Sequence, residues 1–80
     1  MRLEQRGDNV VLAEVTAGSL AERSGLRTGD IVISLAGKPI ARVSAVIEAI
    51  RRQPEGTWLP LQVRRGARTQ ELVVRFPPAP

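Results

Sequence analysis

Val43, Val46, Ile47 and Ile50 fall at i, i+3, i+4 and i+7, the cleanest helical period in this 80-residue chain. That spacing lines apolar side chains along one face of a helix. Glu48, Arg51, Arg52 and Gln53 take the other faces, with the two arginines in the C-terminal turn, where the helix dipole favours cations. Pro54 and Gly56 stop the helix. Elsewhere the apolar residues come only in short runs. The longest, Val10-Val11-Leu12-Ala13, has four residues with alanine counted. A bilayer span needs about 20 apolar residues, so neither a transmembrane helix nor a signal peptide is expected.

The short runs read as strands. Val10 to Val15 is an apolar, β-branched run between Gly7-Asp8-Asn9 and Ala17-Gly18. Residues 1–5 alternate more loosely and are joined to it by the Gly-Asp-Asn turn. Ser19 with Glu22 three residues on is a capping box, and Gly25 followed by Leu26 suits a helix end, giving one or two helical turns. Gly29-Asp30 turns into the strand Ile31 to Ala36, Gly37-Lys38-Pro39 closes it with a turn, and Ile40 suits a short bridge. Leu59, Leu61 and Val63 alternate as a strand whose Pro60 predicts an edge position or a bulge. A hairpin at Arg65 to Arg68 returns the chain through Leu72, Val74 and Phe76. Five or six strands with two helices predict a small, partly open α+β barrel or sandwich. Residues 1–76 form one domain, and Pro77-Pro78-Ala79-Pro80 is a tail or linker.

Composition excludes several functions. The chain has no histidine and no cysteine, which removes catalytic triads built on histidine, imidazole and thiolate metal sites, and disulfides. No cofactor or metal is expected. Trp58 and Phe76 are the only aromatic residues, too few for a base-stacking platform. The net charge of +4 resides in residues 41–80, which hold seven basic and three acidic side chains, against five of each in residues 1–40. Such a balance reads as solubility, with no nucleic-acid partner and no direct membrane insertion expected. Arg64, Arg65 and Arg68 flank a hairpin and read as solvated; Gly29-Asp30 reads as a turn, and Trp58 as a cap on the sheet surface.

The string from Ala17 to Ile40 resembles the signature of bacterial PDZ domains. That pattern runs Gly-Ser-Pro-Ala, Ala-Gly-Leu, Gly-Asp, an apolar strand, then Asn-Gly, and here reads Gly18-Ser19-Leu20-Ala21, Ser24-Gly25-Leu26, Gly29-Asp30, Ile31 to Leu35, Ala36-Gly37. Leu20, Ser24 and Ala36 depart from the usual proline, alanine and asparagine. The likeness covers residues 9–76, and the order of elements looks like the permuted PDZ form of high-temperature-requirement (HtrA-like) serine proteases.

The resemblance implies a non-catalytic module that binds apolar C-terminal or unfolded segments by strand addition. Residues 2–5, Arg2, Leu3, Glu4 and Gln5, would form the edge that pairs with the peptide, and the helix at 43–53 would form the other wall. Val43 would meet the third-from-last ligand residue, and Ile47 and Ile50 would line the pocket for the last one, with Met1 and Leu3 opposite. An apolar Val43 cannot accept a hydrogen bond from a ligand hydroxyl, so apolar side chains are expected at both positions. Val46 and Ile50 also fit a core role, and Ile47 divides between the two. The family's carboxylate-binding loop would end at Met1 in this register, and Arg2 or Arg42 would assist the carboxylate. The implied setting is periplasmic quality control, with the protease domain of the parent chain as neighbour. The alternatives are the PDZ domain of an intramembrane zinc metalloprotease or secretion component acting as a size filter or assembly interface, and a structural domain that binds no free peptide.

Overall fold

The computed structural model describes residues 1–79. The strands are β1 (Arg2–Arg6), β2 (Asn9–Glu14), β3 (Ile31–Leu35), β4 (Lys38–Pro39), β5 (Trp58–Arg65) and β6 (Arg68–Arg75); the helices are α1 (Leu20–Arg23) and α2 (Val43–Arg52). The sheet order is β1-β2-β3-β5-β6, every pairing is antiparallel, and β4 pairs with β3 off that path. The order and type of the elements agree with the α+β reading.

Alternation puts Leu59, Leu61 and Val63 of β5 and Val74 of β6 into the core, with Val10 and Leu12 of β2 and Val32 and Leu35 of β3. Val46 is the helix residue that reaches this cluster fully buried, and Leu26 closes it from the loop after α1. No helix among the described residues is long and apolar enough to cross a membrane.

The ends of α1 show how few residues are needed to shape a four-residue helix. Ser19 Oγ accepts from Glu22 N–H at 3.2 Å, but the Glu22 carboxylate accepts from Gly18 N–H at 2.9 Å, one residue before the cap rather than at it. At the other end Gly25 N–H donates to Glu22 O and Leu26 N–H to Ala21 O, the bond pair of a Schellman stop. Gly25 has φ +93°, a left-handed conformation that favours glycine, and a Cβ there would press on Leu72 at 3.3 Å.

Local expectations shift at three places. The turn after β3 is Ala36-Gly37, and Lys38–Pro39 is a two-residue strand rather than part of the turn. Ala36 has φ 50°, the left-handed region that asparagine tolerates better than alanine. Pro60 lies in a strand flanked on both sides, not at the sheet edge. It is accommodated because β3 pairing ends at Leu35↔Leu61; the Pro60 carbonyl accepts from Ala36 N–H at 2.8 Å, and no ladder donor is required of the proline. Arg65 is not simply solvated, as described next.

Candidate functional site

β1 is the terminal strand of the sheet order, so one of its backbone edges pairs with β2 and the other is free among the described residues. α2 packs beside β1. Between them and α1 opens an apolar cavity of about 240 Å³ whose mouth and walls include Met1, Leu3, Leu20, Ile50 and Phe76. Its floor reaches core residues such as Leu12 and Val74, and Ser19 contributes the only polar side chain in the lining. An enclosed apolar space of about 150 Å³ suffices to hold benzene, so this one has room for a large aliphatic or aromatic side chain.

The residues singled out from the sequence fall along this groove. Met1, Leu3 and Ile50 line the cavity. Arg2 and Glu4 alternate with Leu3 and are exposed on β1. Val43 packs half-buried against the core at the start of α2, and Ile47, 42% exposed, lies outside the cavity lining. Arg42 is at the far end of the groove from Met1, its guanidinium 3.6 Å from Asp8 and 3.4 Å from the Gly7 carbonyl, which takes it away from a carboxylate placed at Met1.

Gln5 was expected only as part of the pairing edge; its side-chain bridge to the start of α2 escaped the sequence reading. Its carboxamide donates to Ala41 O and Gly7 O, both at 2.8 Å, and accepts from Val43 N–H at 2.9 Å. The N-cap residue of α2, Arg42, gives no side-chain cap, so Gln5 supplies from another element what the helix lacks locally. A polar residue two positions after the inward-facing Leu3 was the available signal.

Arg65 and Asp30 form the other missed arrangement. Asp30 is 1% exposed. Arg65 Nε and Nη2 donate to its two oxygens at 2.9 and 2.8 Å, and Arg27 N–H donates to Oδ2 at 2.9 Å. Nη2 also reaches the Gly25 carbonyl at 2.8 Å. Burial pushes the Asp30 carboxyl up, but the Arg65 hydrogen bonds, the Arg27 amide and the charges of both arginines together bring it below its ordinary value; Asp30 in turn raises Arg65. This pair lies away from the cavity lining and holds the α1–β3 loop to the end of β5. The described residues contain no group of three or more acidic side chains able to hold a metal ion.

Residues 11–65 match the family model described as PDZ domain. The chain belongs to the PDZ family. In sequence it is 46% identical to the serine protease HTRA1 of Xenopus tropicalis over 69% of the chain, and 41% identical to a protein of Ralstonia nicotianae named as a zinc metalloprotease over 76% of the chain. A DegP-like periplasmic serine endoprotease of Chlamydia trachomatis is 34% identical over 80% of the chain. The alignments span only 12–15% of these relatives' lengths. Among solved structures, the HtrA3 PDZ domain bound to the phage-derived ligand FGRWV superposes with a TM-score of 0.76 at 28% identity, over 85% of this chain and 62% of that one. The HtrA-type protease AlgW with a decapeptide shares the fold, at a TM-score of 0.85 and 16% identity, over 99% of this chain and 28% of that one. A PDZ domain is a non-catalytic module, and relatives of this one sit in proteases.

Proposed function

We propose that this PDZ domain is a peptide-binding module of a larger envelope protease and captures apolar C-terminal or unfolded segments for its neighbouring protease domain. The observation that carries the reading is the free edge of β1 facing α2 across an apolar cavity. An extended peptide adds to that edge, backbone bonds along Arg2 to Glu4 supply affinity, and a large apolar side chain enters the cavity between Met1, Leu3 and Ile50. Val43 meets an apolar side chain two residues earlier, Ile47 covers the ligand between them, and Arg2 supports the terminal carboxylate. The ligand-bound HtrA3 domain and the periplasmic DegP-like relative support peptide capture and an envelope location. Of the tail or linker expected at 77–80, the Pro77 carbonyl accepts from Gly56 N–H at 3.2 Å, and Pro80 lies outside the described residues.

Titration with a peptide ending apolar-x-apolar, free or amidated, followed by amide NMR, tests this. Shifts confined to residues 1–5 and 43–50 and lost on amidation support C-terminal capture. Equal shifts with both forms point to internal or unfolded segments held by strand addition. No shift at millimolar peptide rejects the binding reading.

The zinc metalloprotease relative favours a second reading, in which the groove acts as a size filter or assembly contact of an intramembrane protease. A parent chain carrying His-Glu-x-x-His rather than a serine-protease triad would select it.

A further inference from the structure

We infer that the outer edge of β6 is a self-association surface, on which a second copy of this chain pairs its own β6 antiparallel, with Val73 facing Val73. This edge lies at the opposite end of the sheet order from β1, so the pairing neither needs nor blocks a peptide there.

β6 is eight residues long and pairs with β5 without a break in register. Phe76 N–H donates to Thr57 O, which fixes the phase of the ladder. Gln70, Leu72 and Val74 therefore bond to β5, while Glu71, Val73 and Arg75 turn their N–H and C=O groups to the open side. The side chains of these three share the outer face, opposite the buried Val74. Soluble proteins guard such an edge with lysine, proline or a bulge. Residues 69–75 carry none of the three, and Val73 is 41% exposed in their midst. Leu72 packs near Gly25, and beside the edge a shallow groove separates Leu20, Arg23 and Ser24 from Val73 and Arg75.

The charges select both the occupant and the register. A two-fold pair presents the same strand twice, so its registers differ only in the residue at the centre. Centred on Glu71 or on Arg75, two like charges face each other. Centred on Leu72, Glu71 faces an apolar Val73. Centred on Val73, Glu71 of each copy faces Arg75 of the other, and every facing pair exchanges two backbone bonds. β5 already holds both charges on the outer face: the Arg75 guanidinium lies 4.5 Å from the Trp58 ring centroid, and Glu71 accepts from Gln62 at 3.2 Å. The joined copies make one continuous sheet with a β1 edge at each end, so both grooves stay open. A single strand pair buries less than a standard interface of about 1,600 Å², so the association is weak and needs chain concentrations near about 1 mM.

Sedimentation equilibrium and amide exchange from about 10 μM to 1 mM chain, at low ionic strength, test the pairing. The wild-type mass should rise toward twice the monomer, and exchange at Glu71, Val73 and Arg75 should slow at least threefold over that range. Arg75→Glu sets like charges face to face and should weaken association at least tenfold, and Glu71→Arg should do the same. The double variant Glu71→Arg, Arg75→Glu restores the complementary pairs and should return within about threefold of wild type. Both side chains are exposed, and protection at Val10 and Val63 verifies the fold of each variant. A monomeric wild type at 1 mM overturns the proposal, as does association that Arg75→Glu leaves unchanged or that the double variant fails to restore. Association that shifts residues 1–5 and 43–50 instead of 69–75 also overturns it, placing the second copy in the groove. Slowed exchange at 69–75 that appears only with an added apolar peptide, the chain staying monomeric, overturns the second copy as occupant.

Discussion

The groove and the Asp30 corner lie in one small domain and are built by opposite means. At the groove, β1 leaves backbone unpaired and apolar side chains surround space that no side chain fills. At the corner a single buried carboxylate receives three hydrogen bonds at 2.8–2.9 Å, and no buried side-chain polar atom among the described residues lacks a partner. The corner closes the fold. The groove keeps unsatisfied apolar and backbone surface in reserve, which is what a binding edge requires. Substitutions at the two places should therefore separate stability from affinity.

The largest effect is expected at the corner. Asp30→Ala removes the buried carboxylate partner of Arg65 and leaves Arg27 N–H without its acceptor, and should cost about 2–3 kcal/mol, a large share of the stability of a domain this small. Urea denaturation at pH 7 measures it. The same pair gives a pH signature. Because the folded Asp30 carboxyl is held below its ordinary 3.8, the unfolded chain takes up the proton first as pH falls. The contribution is complete above the unfolded carboxylate value, near 4, and is lost as pH drops through the lower folded value. The stability gap between wild type and Asp30→Asn should accordingly shrink below about pH 4; a gap constant down to pH 2 would contradict the ion-pair assignment.

The groove should respond in the other currency. Leu3→Ala or Ile50→Ala removes half-buried cavity lining and should weaken peptide binding about tenfold, a change of about 1.4 kcal/mol, while lowering stability by less than the corner substitution does. Calorimetric titration set beside urea unfolding checks both sides. A variant that loses stability as severely as Asp30→Ala with unchanged affinity would erase the contrast.

Two smaller effects bound the comparison. Ala36→Asn should stabilise by about 0.5–1 kcal/mol, because alanine at φ 50° carries left-handed strain that asparagine relieves in part. Trp58, 61% exposed with the Arg75 guanidinium 4.5 Å from its ring centroid, should matter least: Arg75→Ala should change stability by less than about 0.5 kcal/mol. Denaturation midpoints read both.

Local chemistry explains what could be read from the sequence. The stripe Val43 to Ile50, the stop at Gly25-Leu26 and the alternation along β5 and β6 each depend on neighbours within a few residues, and each appears as expected. Asp30 and Arg65 are 35 residues apart, Gln5 and Val43 are 38, and nothing local pairs either couple. Arg65 looked solvated because it flanks a hairpin; its inward parity on β5 decides otherwise once the register is known. Pro60 pointed to an edge for a sound reason, the missing donor, but the edge is a local one made by the early end of β3. The groove's walls were legible as an amphipathic helix and a short strand. Its depth was not, because a cavity depends on what α1, Phe76 and the core leave unfilled.

The unfilled cavity also bears on how long the chain lasts. A ligand that binds only the folded form adds about 2.7 kcal/mol of stability at a hundredfold excess over its Kd, and in a domain of this size each kcal/mol moves the melting temperature by about 4–8 °C. On the peptide-binding reading, the empty domain is the short-lived form, most open to heat and to proteolytic cleavage. A steady supply of clients would keep it folded, so the abundance of the domain becomes a record of how much it is used.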